Sequence, residues 1–303
     1  MKVRSLFSAK KWIAFFLDTP VGRGLSDERF LKLKFYANLG KKLNIKNPET
    51  FNERLQWLKL YDRKPEYSVM VDKYLVREYI KEKLGEEYLI PLLGVWEDPD
   101  DIDFDALPDR FVLKCNHNSG RGMYICRDKS AMDVEKVKAG LREGLAEDYF
   151  LQSREWPYKN VPRRIVAEQY MEDGNEKDLK DYKFYCFGGE PKFLYISQGL
   201  SEHSTARISY VSLDWEEEPF KRNDYASFEK LLPKPVNFDQ MLEFCKVLAK
   251  EIPFLRVDFY EINGAIYFGE LTFFPGAGFT AFDPPEWDAP IGGWMILPEK
   301  TVE

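Results

Sequence analysis

Histidine and cysteine are scarce in this 303-residue chain, with two of the former and four of the latter. Cys115, Cys126, Cys186 and Cys245 show no Cys-x-x-Cys spacing, which argues against a zinc site. Cys115 and Cys126 can face each other across a loop, but reduced thiols filling strand positions are the expectation. No apolar run approaches the length of a membrane span. The longest near the N-terminus, Trp12 to Leu17, is too short for a secretory signal core, so the chain reads as cytoplasmic. Positive charge is also in deficit: a net charge of −7 excludes a general affinity for nucleic acid. What remains, 44% hydrophobic and 16% aromatic residues, is enough for a substantial core in one large domain or two to three subdomains.

The charge is unevenly placed. Residues 1–48 hold eleven lysines and arginines against Asp18, Asp27 and Glu28, a balance of +8 that leaves −15 for the remainder. Within them Lys10 and Lys11 adjoin Trp12, Ile13, Phe15, Phe16 and Leu17. Two readings fit: an amphipathic segment touching the inner face of an anionic membrane, or a basic helix docked on its own domain.

Periodicity predicts helices from Glu28 to Gly40, after Pro48-Glu49-Thr50, from Val71 to Gly85, over Asp133–Leu145 and over Phe238–Ile252. In the second of these Phe51, Leu55, Trp57, Leu58 and Leu60 supply the apolar face, and Asn52, Glu53 and Lys59 the solvent face. Tyr88 to Val95 reads as a buried strand interrupted by Pro91. Further strands fall at Ile165–Tyr170, at Tyr182–Ser197 around a Gly188-Gly189 turn, at Arg207–Leu213 and at Phe254–Leu271. Antiparallel hairpins interleaved with helices make this an α+β fold.

Two stretches carry chemistry. In Phe111 to Cys126, strands flank a polar loop containing Ser119, Gly120 and Gly122, with Lys114 at the end of the incoming strand. A loop that turns its N–H groups toward polyphosphate and a surface hairpin that needs glycine for its turn both fit this pattern. In the final hairpin, Arg256 and Asp258 share one strand face, and Glu270 and Thr272 share one on the next. A two-residue Asn263-Gly264 turn would send Glu270 to the opposite side of the sheet from Asp258. A three-residue loop through Ala265 would place them face to face, and that odd loop is the expectation. Two facing carboxylates need a cation between them, and with polyphosphate near, Mg²⁺ is the expected one. A salt bridge from Arg256 to either carboxylate is the plainer alternative.

The order Lys73, Lys114 before a glycine-bearing loop, Glu168 on a short strand, then Asp258 and Glu270 before Pro-Gly resembles the ATP-grasp superfamily. The phrases FNERLQWLKLYDR, DKYLVREYI, LIPLLGVW, LPDRFVLKCNHNSG and DYKFYCFGGEPKF resemble more narrowly the TupA-like ATP-grasp family of polysaccharide and teichuronopeptide biosynthesis. The resemblance implies two α+β subdomains clasping ATP, with division into a basic helical region 1–65, a subdomain 66–164 bearing the phosphate loop, and a subdomain 165–303. It implies that Lys73 and Lys114 contact the phosphates, and that Ser119, Gly120 and Gly122 form a lid that orders when ATP binds. Glu168, Gln169, Tyr170 and Met171 would face the adenine, and Asp181, or Asp178, the ribose. Asp258, Glu270 and Thr272 would hold Mg²⁺, with Lys183 near the phosphate or substrate and Arg256 at the reacting acyl phosphate.

The implied reaction is ATP-dependent amide formation through an acyl phosphate. It would join an amino acid or amine to a carboxylated surface glycan or its precursor. The stretch Trp156, Tyr158, Lys159, Arg163, Arg164, and more weakly His203 with Arg207, are candidates to receive an anionic sugar. Two departures stand out: Thr272 replaces the asparagine usual in the superfamily, and basic helical residues stand where a nucleotide-fold domain is usual. Rival readings are a glycosyltransferase, from the Asp-x-Asp-like run Asp98-Pro99-Asp100-Asp101, and a non-catalytic nucleotide- or glycan-binding module.

Overall fold

The computed structural model describes residues 9–174, 178–199 and 205–301, and its strands form two antiparallel sheets. The smaller sheet contains β1 (Leu92–Trp96), β2 (Phe111–Cys115), β3 (Tyr124–Cys126) and β4 (Ile165–Gln169), in the order β1-β4-β2-β3. The larger contains β5 (Asp181–Phe187), β6 (Glu190–Gln198), β7 (Arg207–Ser212), β8 (Phe254–Ile262) and β9 (Ala265–Thr272), in the order β7-β6-β5-β8-β9. Helices α1 (Ala9–Asp18), α2 (Pro20–Arg23), α3 (Asp27–Leu39), α4 (Phe51–Tyr61), α5 (Glu66–Val71) and α6 (Val76–Lys83) precede the first strand. Helices α7 (Val134–Ala146) and α8 (Tyr149–Ser153) lie between β3 and β4, α9 (Phe238–Leu248) between β7 and β8, and α10 (Asp288–Gly293) after β9. The α+β class is as expected.

Each sheet anchors its own core, and the cores redraw the expected divisions. The small core gathers Phe111, Leu113, Ile165 and Ala167 with Val137 and Leu141 of α7. The large one runs from Leu17 through α3 to α6 and the larger sheet to Met295. Of the described residues before 66, those of α3 and α4 join the large core: Phe51 of α4 lies 4.9 Å, ring to ring, from Phe254 of β8. An apolar helix face needs a partner, and the aromatic face of the larger sheet is the one within reach. Likewise β4 sits between β1 and β2, so the expected division at 164/165 cuts through the smaller sheet.

Two local expectations change for identifiable reasons. The strand near Pro91 starts only at Leu92 and runs half-exposed along a sheet edge, because proline has no N–H for a ladder. The helix expected from Val71 to Gly85 breaks at Asp72, whose Oδ1 accepts the N–H groups of Tyr74 (2.8 Å) and Leu75 (3.2 Å) and so starts α6 afresh. Lys73 sits in the break.

Helix α4 holds the larger correction. Thr50 and Glu53 form a reciprocal capping box at its start. Its supposed solvent residues Asn52 and Lys59 are instead buried, together with Gln56, one helical turn apart from each. Asn52 Nδ2 donates to the Thr280 carbonyl (3.0 Å), Gln56 Nε2 to Gly278 (2.8 Å), and Lys59 Nζ to Ala277 (2.7 Å) and Ser153 (2.8 Å). The carbonyls of a left-handed turn, with Gly276, Ala277 and Gly278 all at positive φ, thus receive the donors of one helix.

The final hairpin reaches its expected outcome by an unexpected route. Ile262 pairs with Ala265, so the turn is the two-residue Asn263-Gly264, both at positive φ (51° and 78°). A bulge between Asp258 and Phe259 leaves Gly269 as the extra residue and sets Asp258 opposite Glu270. Glycine suits the bulge because a Cβ there would lie 3.0 Å from the Asp258 carbonyl oxygen.

Burial pushes Lys59 down to about 7 against the attraction of buried Glu155. Lys59→Met would leave that carboxylate and the Ser153 carbonyl without their cation and donor. Loss of about 1–3 kcal/mol is expected, read as a lower urea midpoint in circular dichroism.

Candidate active site

A cleft of about 330 Å³ lies between the sheets, and most of the expected nucleotide residues line it. Lys114, Glu168 and Gln169 come from the smaller sheet, with Tyr170 and Met171 directly after it, and Lys73 comes from the break between α5 and α6; Asp181, Tyr260 and Glu270 come from the larger sheet, with Asp178 just before it. Apolar side chains, among them Val112, Ile125, Phe268 and Leu271, complete the walls. An apolar cleft with few convergent polar groups is the usual form of a small-molecule site.

Lys114 and Glu168 project from neighbouring strands, and Lys114 Nζ lies 2.5 Å from Glu168 Oε2. Arg77 approaches the other oxygen at 3.6 Å. Sequence reading missed Arg77; its place one helical turn after Lys73 was the available signal. Lys73 Nζ donates to the Asn118 carbonyl, and burial lowers its pKa while Glu270 pulls it back up. Both lysines thus face the cleft from the side where the loop 116–123 begins.

That loop divides in two. Asn116, His117 and Asn118 are buried: Asn116 Oδ1 accepts the Arg164 N–H (2.7 Å), and Asn118 Nδ2 donates to the Gly144 carbonyl (3.2 Å). Sequence reading assigned Asn116 and His117 no role. Gly122 packs on α7, where a Cβ would lie 3.0 Å from Gly144 Cα and 2.9 Å from Cys115 Sγ. Its glycine is required for contact with the helix, so the expected phosphate role is not what the packing reflects. Ser119 and Gly120 form the exposed tip, and neither they nor Gly122 line the cleft; Met123 does.

On the larger sheet one row of residues crosses all five strands: Tyr210, Tyr195, Lys183, Asp258 and Glu270, each directly opposite the next. Asp181 and Tyr260 pair beside this row on one flank, Arg256 and Thr272 on the other. The reverse face is apolar, with Phe184, Val257 and Phe259 beneath Met241 and Cys245 of α9. Alternation along each strand therefore concentrates the charge on the face away from α9.

Asp258 is fully buried, and both its oxygens are engaged. Arg256 grips it through Nε–Oδ1 (2.7 Å) and Nη2–Oδ2 (2.6 Å), and Lys183 Nζ reaches Oδ2 at 2.5 Å. Arg256 Nη2 also lies 2.5 Å from Glu270 Oε1, which accepts a hydrogen bond from Thr272 Oγ1 at 3.2 Å. The cation between the two carboxylates is here the guanidinium of Arg256. Lys183 also pairs with Asp181, and these two carboxylates hold its pKa well above the ordinary value despite burial. Burial raises Asp181 to about 6 against the pull of Lys183.

As to Mg²⁺, the donor set fits in part. Glu270 has 42% of its side chain exposed and faces the cleft, whereas Asp258 lies inside a closed charge cluster. Mg²⁺ commonly takes only one or two carboxylates together with phosphate oxygens, and Glu270 can supply one.

Other candidates disperse. Asp98 accepts the Asp100 N–H (2.9 Å), and Asp100 pairs on the surface with Arg142 (2.6 Å) and Lys138 (3.1 Å), which explains the acidic run as a capped turn. Arg163 donates to the Leu145 carbonyl and Arg164 pairs with Glu97 at 3.8 Å; of the aromatic-basic stretch only Tyr158 lines the cleft. His203 lies outside the described residues. The four cysteines are buried free thiols, as expected.

A family model described as TupA-like ATPgrasp matches residues 53–296. A search of curated protein sequences finds no significant relative. Among solved structures, the chain is similar to D-alanine–D-alanine ligase from Bacillus anthracis, with 15% identity, a TM-score of 0.44, and coverage of 95% of this chain and 90% of that one. The Helicobacter pylori D-alanine–D-alanine ligase matches at 13% identity and TM-score 0.43, covering 82% of this chain and 69% of that one. The ATP-grasp ligase PsnB, complexed with its minimal precursor, matches at 11% identity and TM-score 0.36; the match covers 70% of this chain and 55%, about half, of PsnB.

The charge cluster predicts a pH signature. Burial would raise Glu270, but Arg256, Lys183 and Lys73 hold it down at about 2, below the ordinary 4.5. A depressed carboxylate contributes stability above its unfolded pKa, and that contribution drains away as pH falls through the folded pKa. The difference in urea midpoint between wild type and Glu270→Gln should therefore be full at pH 6 and shrink between pH 4.5 and 2.5. A gap that stays constant would contradict the pairing with Arg256.

Proposed function

The chain belongs to the TupA-like ATP-grasp family; from that premise we propose that it is an ATP-dependent enzyme that forms an amide between a carboxylate and an amine through an acyl phosphate. The observation that carries this reading is the convergence on one cleft of two lysines, Lys73 before α6 and Lys114 on the smaller sheet, with the Glu270 end of the charged row of the larger sheet. Cations from one side and a carboxylate from the other suit a nucleotide whose phosphates lie between the lobes.

In this reading the adenine lies against Gln169, Tyr170 and Met171, with Asp181 or Asp178 toward the ribose. Lys73 and Lys114 neutralise phosphate charge, and Ser119 and Gly120 at the loop tip close over it. Glu270, beside the Thr272 hydroxyl, would hold Mg²⁺, while Asp258 keeps its place between Arg256 and Lys183. When bound, Mg²⁺ offsets negative charge on the phosphate oxygens.

A carboxylate oxygen of the substrate attacks the γ-phosphorus, a new P–O bond forms, and the bond to the bridging oxygen breaks to release ADP. An amine then attacks the acyl carbon, loses a proton, and expels inorganic phosphate to leave the amide. Arg256, braced by buried Asp258, presents a fixed guanidinium to the charge that develops on the reacting group. Lys183 keeps that brace charged and oriented. The substrates proposed are an amino acid or amine and a carboxylated surface glycan or its precursor, in keeping with the polysaccharide-synthesis family.

The test is ADP release with purified protein, Mg²⁺, ATP, a uronic-acid glycan and a panel of amino acids. Release should require Mg²⁺ and at least one pairing of carboxylate and amine. Glu270→Gln should lower the rate by about 10²-fold or more while the folded protein persists by circular dichroism. Failure to bind ATP, or turnover of a UDP-sugar in its place, would overturn the ligase reading. Lys114→Met should weaken ATP binding measured by calorimetry by about tenfold or more, since a charged contact to phosphate is lost.

A further inference from the structure

Helix α1 is apolar on two sides. Ile13 and Leu17 pack inward on the large core. Trp12, Phe15 and Phe16, three and four residues apart and hence on one face, are turned to solvent at 55%, 67% and 37% exposure. A helix apolar on both sides normally lies between two layers, whereas the second apolar side of this one is largely solvent-exposed. Val21 of α2, 71% exposed, follows directly in the chain, and Tyr36 of α3 is 38% exposed. Of the large aromatic side chains exposed among the described residues, only Trp294 lies outside α1 to α3.

Positive charge gathers at one end of this surface. Helices α1 and α3 pack together, and Lys10 Nζ lies 2.5 Å from where a Cβ on Gly40 would be. The start of α1 therefore meets the end of α3. Exposed Lys10, Lys11, Lys41 and Lys42 share that end, within a segment of +8 on a chain that is otherwise acidic. No helix among the described residues is long and apolar enough to cross a membrane.

We propose that the outer face of α1 docks the protein on an anionic lipid bilayer, with Trp12, Phe15 and Phe16 in the interface and the four lysines against the headgroups. The chemistry of a bilayer surface matches what the helix presents. Protruding rings on a convex helix enter the boundary between headgroups and acyl chains, whereas a protein partner of this helix would have to supply a groove and acidic residues in register. Lysines near an anionic leaflet add attraction that salt screens. The cleft between the lobes would then operate close to the membrane surface, and this holds whatever reaction the cleft carries out.

The experiment is co-sedimentation of the full chain with vesicles of equal parts phosphatidylglycerol and phosphatidylcholine, and with phosphatidylcholine alone. The expected result is binding at least about tenfold tighter to the anionic vesicles, weakened at 0.5 M salt. Replacing Trp12, Phe15 and Phe16 together by serine should abolish binding, and Lys10→Glu with Lys11→Glu should weaken it severalfold. Both variants should keep the wild-type unfolding midpoint and ATP affinity, because none of these residues lines the cleft. Equal binding of wild type and triple-serine variant would overturn the proposal, as would absence of binding to either vesicle. Concentration-dependent dimers of the wild type that the triple-serine variant cannot form, without vesicle binding, would assign the face to a second copy instead.

Discussion

Everything at the mouth of the cleft depends on burying one carboxylate. Asp258 lies in the sheet interior, where an isolated charge would cost several kcal/mol. It is retained because Arg256 grips both its oxygens and Lys183 reaches one of them. Those cations are in turn shared: Arg256 with Glu270, Lys183 with Asp181. Three carboxylates and two cations alternate, so each charge has an opposite neighbour and only Glu270, at the cleft, is substantially exposed. Such a cluster is weak evidence for stability but strong evidence for orientation, since removing either cation strips a carboxylate of its partner.

The rest of the architecture places and braces that cluster. A bulge at Gly269 turns a hairpin that would have separated Asp258 from Glu270 into one that aligns them. Beyond β9, the left-handed turn at 276–278 is held by Gln56 and Lys59 of α4, with Asn52 holding Thr280 next to it. The helices that precede the first strand thus act as the floor of the large lobe. The smaller sheet carries Lys114 and Glu168, which line the cleft together with Asp181 and Glu270 of the larger sheet.

Much of this was legible in the chain. The α+β class followed from hairpin and helix periodicities, and the pairs Arg256/Asp258 and Glu270/Thr272 declared a shared face by their spacing. Lys73, Lys114, Glu168 to Met171 and Asp181, singled out through the family resemblance, line one cleft. Other features were not legible. Asn52 and Lys59 looked like solvent residues because helical periodicity reports side, and only the carbonyls of a turn some 220 residues later explain their burial. Gly122 looked like a phosphate glycine because its contact with Gly144 on α7 is invisible in a linear pattern.

By itself, then, the sequence determined which residues could carry chemistry and which faces they occupy, because side-chain periodicity is a local property of backbone geometry. Composition alone separated a basic, aromatic N-terminal segment from an acidic remainder. Only the tertiary structure decided how the charges are matched. Whether Asp258 meets a metal, Arg256 or Lys183 depends on register across three strands and on a single bulged residue, and those are long-range pairings. The same holds for the outer face of α1. Its residues are no more apolar than the core's, and their exposure follows from the way the fold sets Ile13 and Leu17, on the other side of the helix, against the large core.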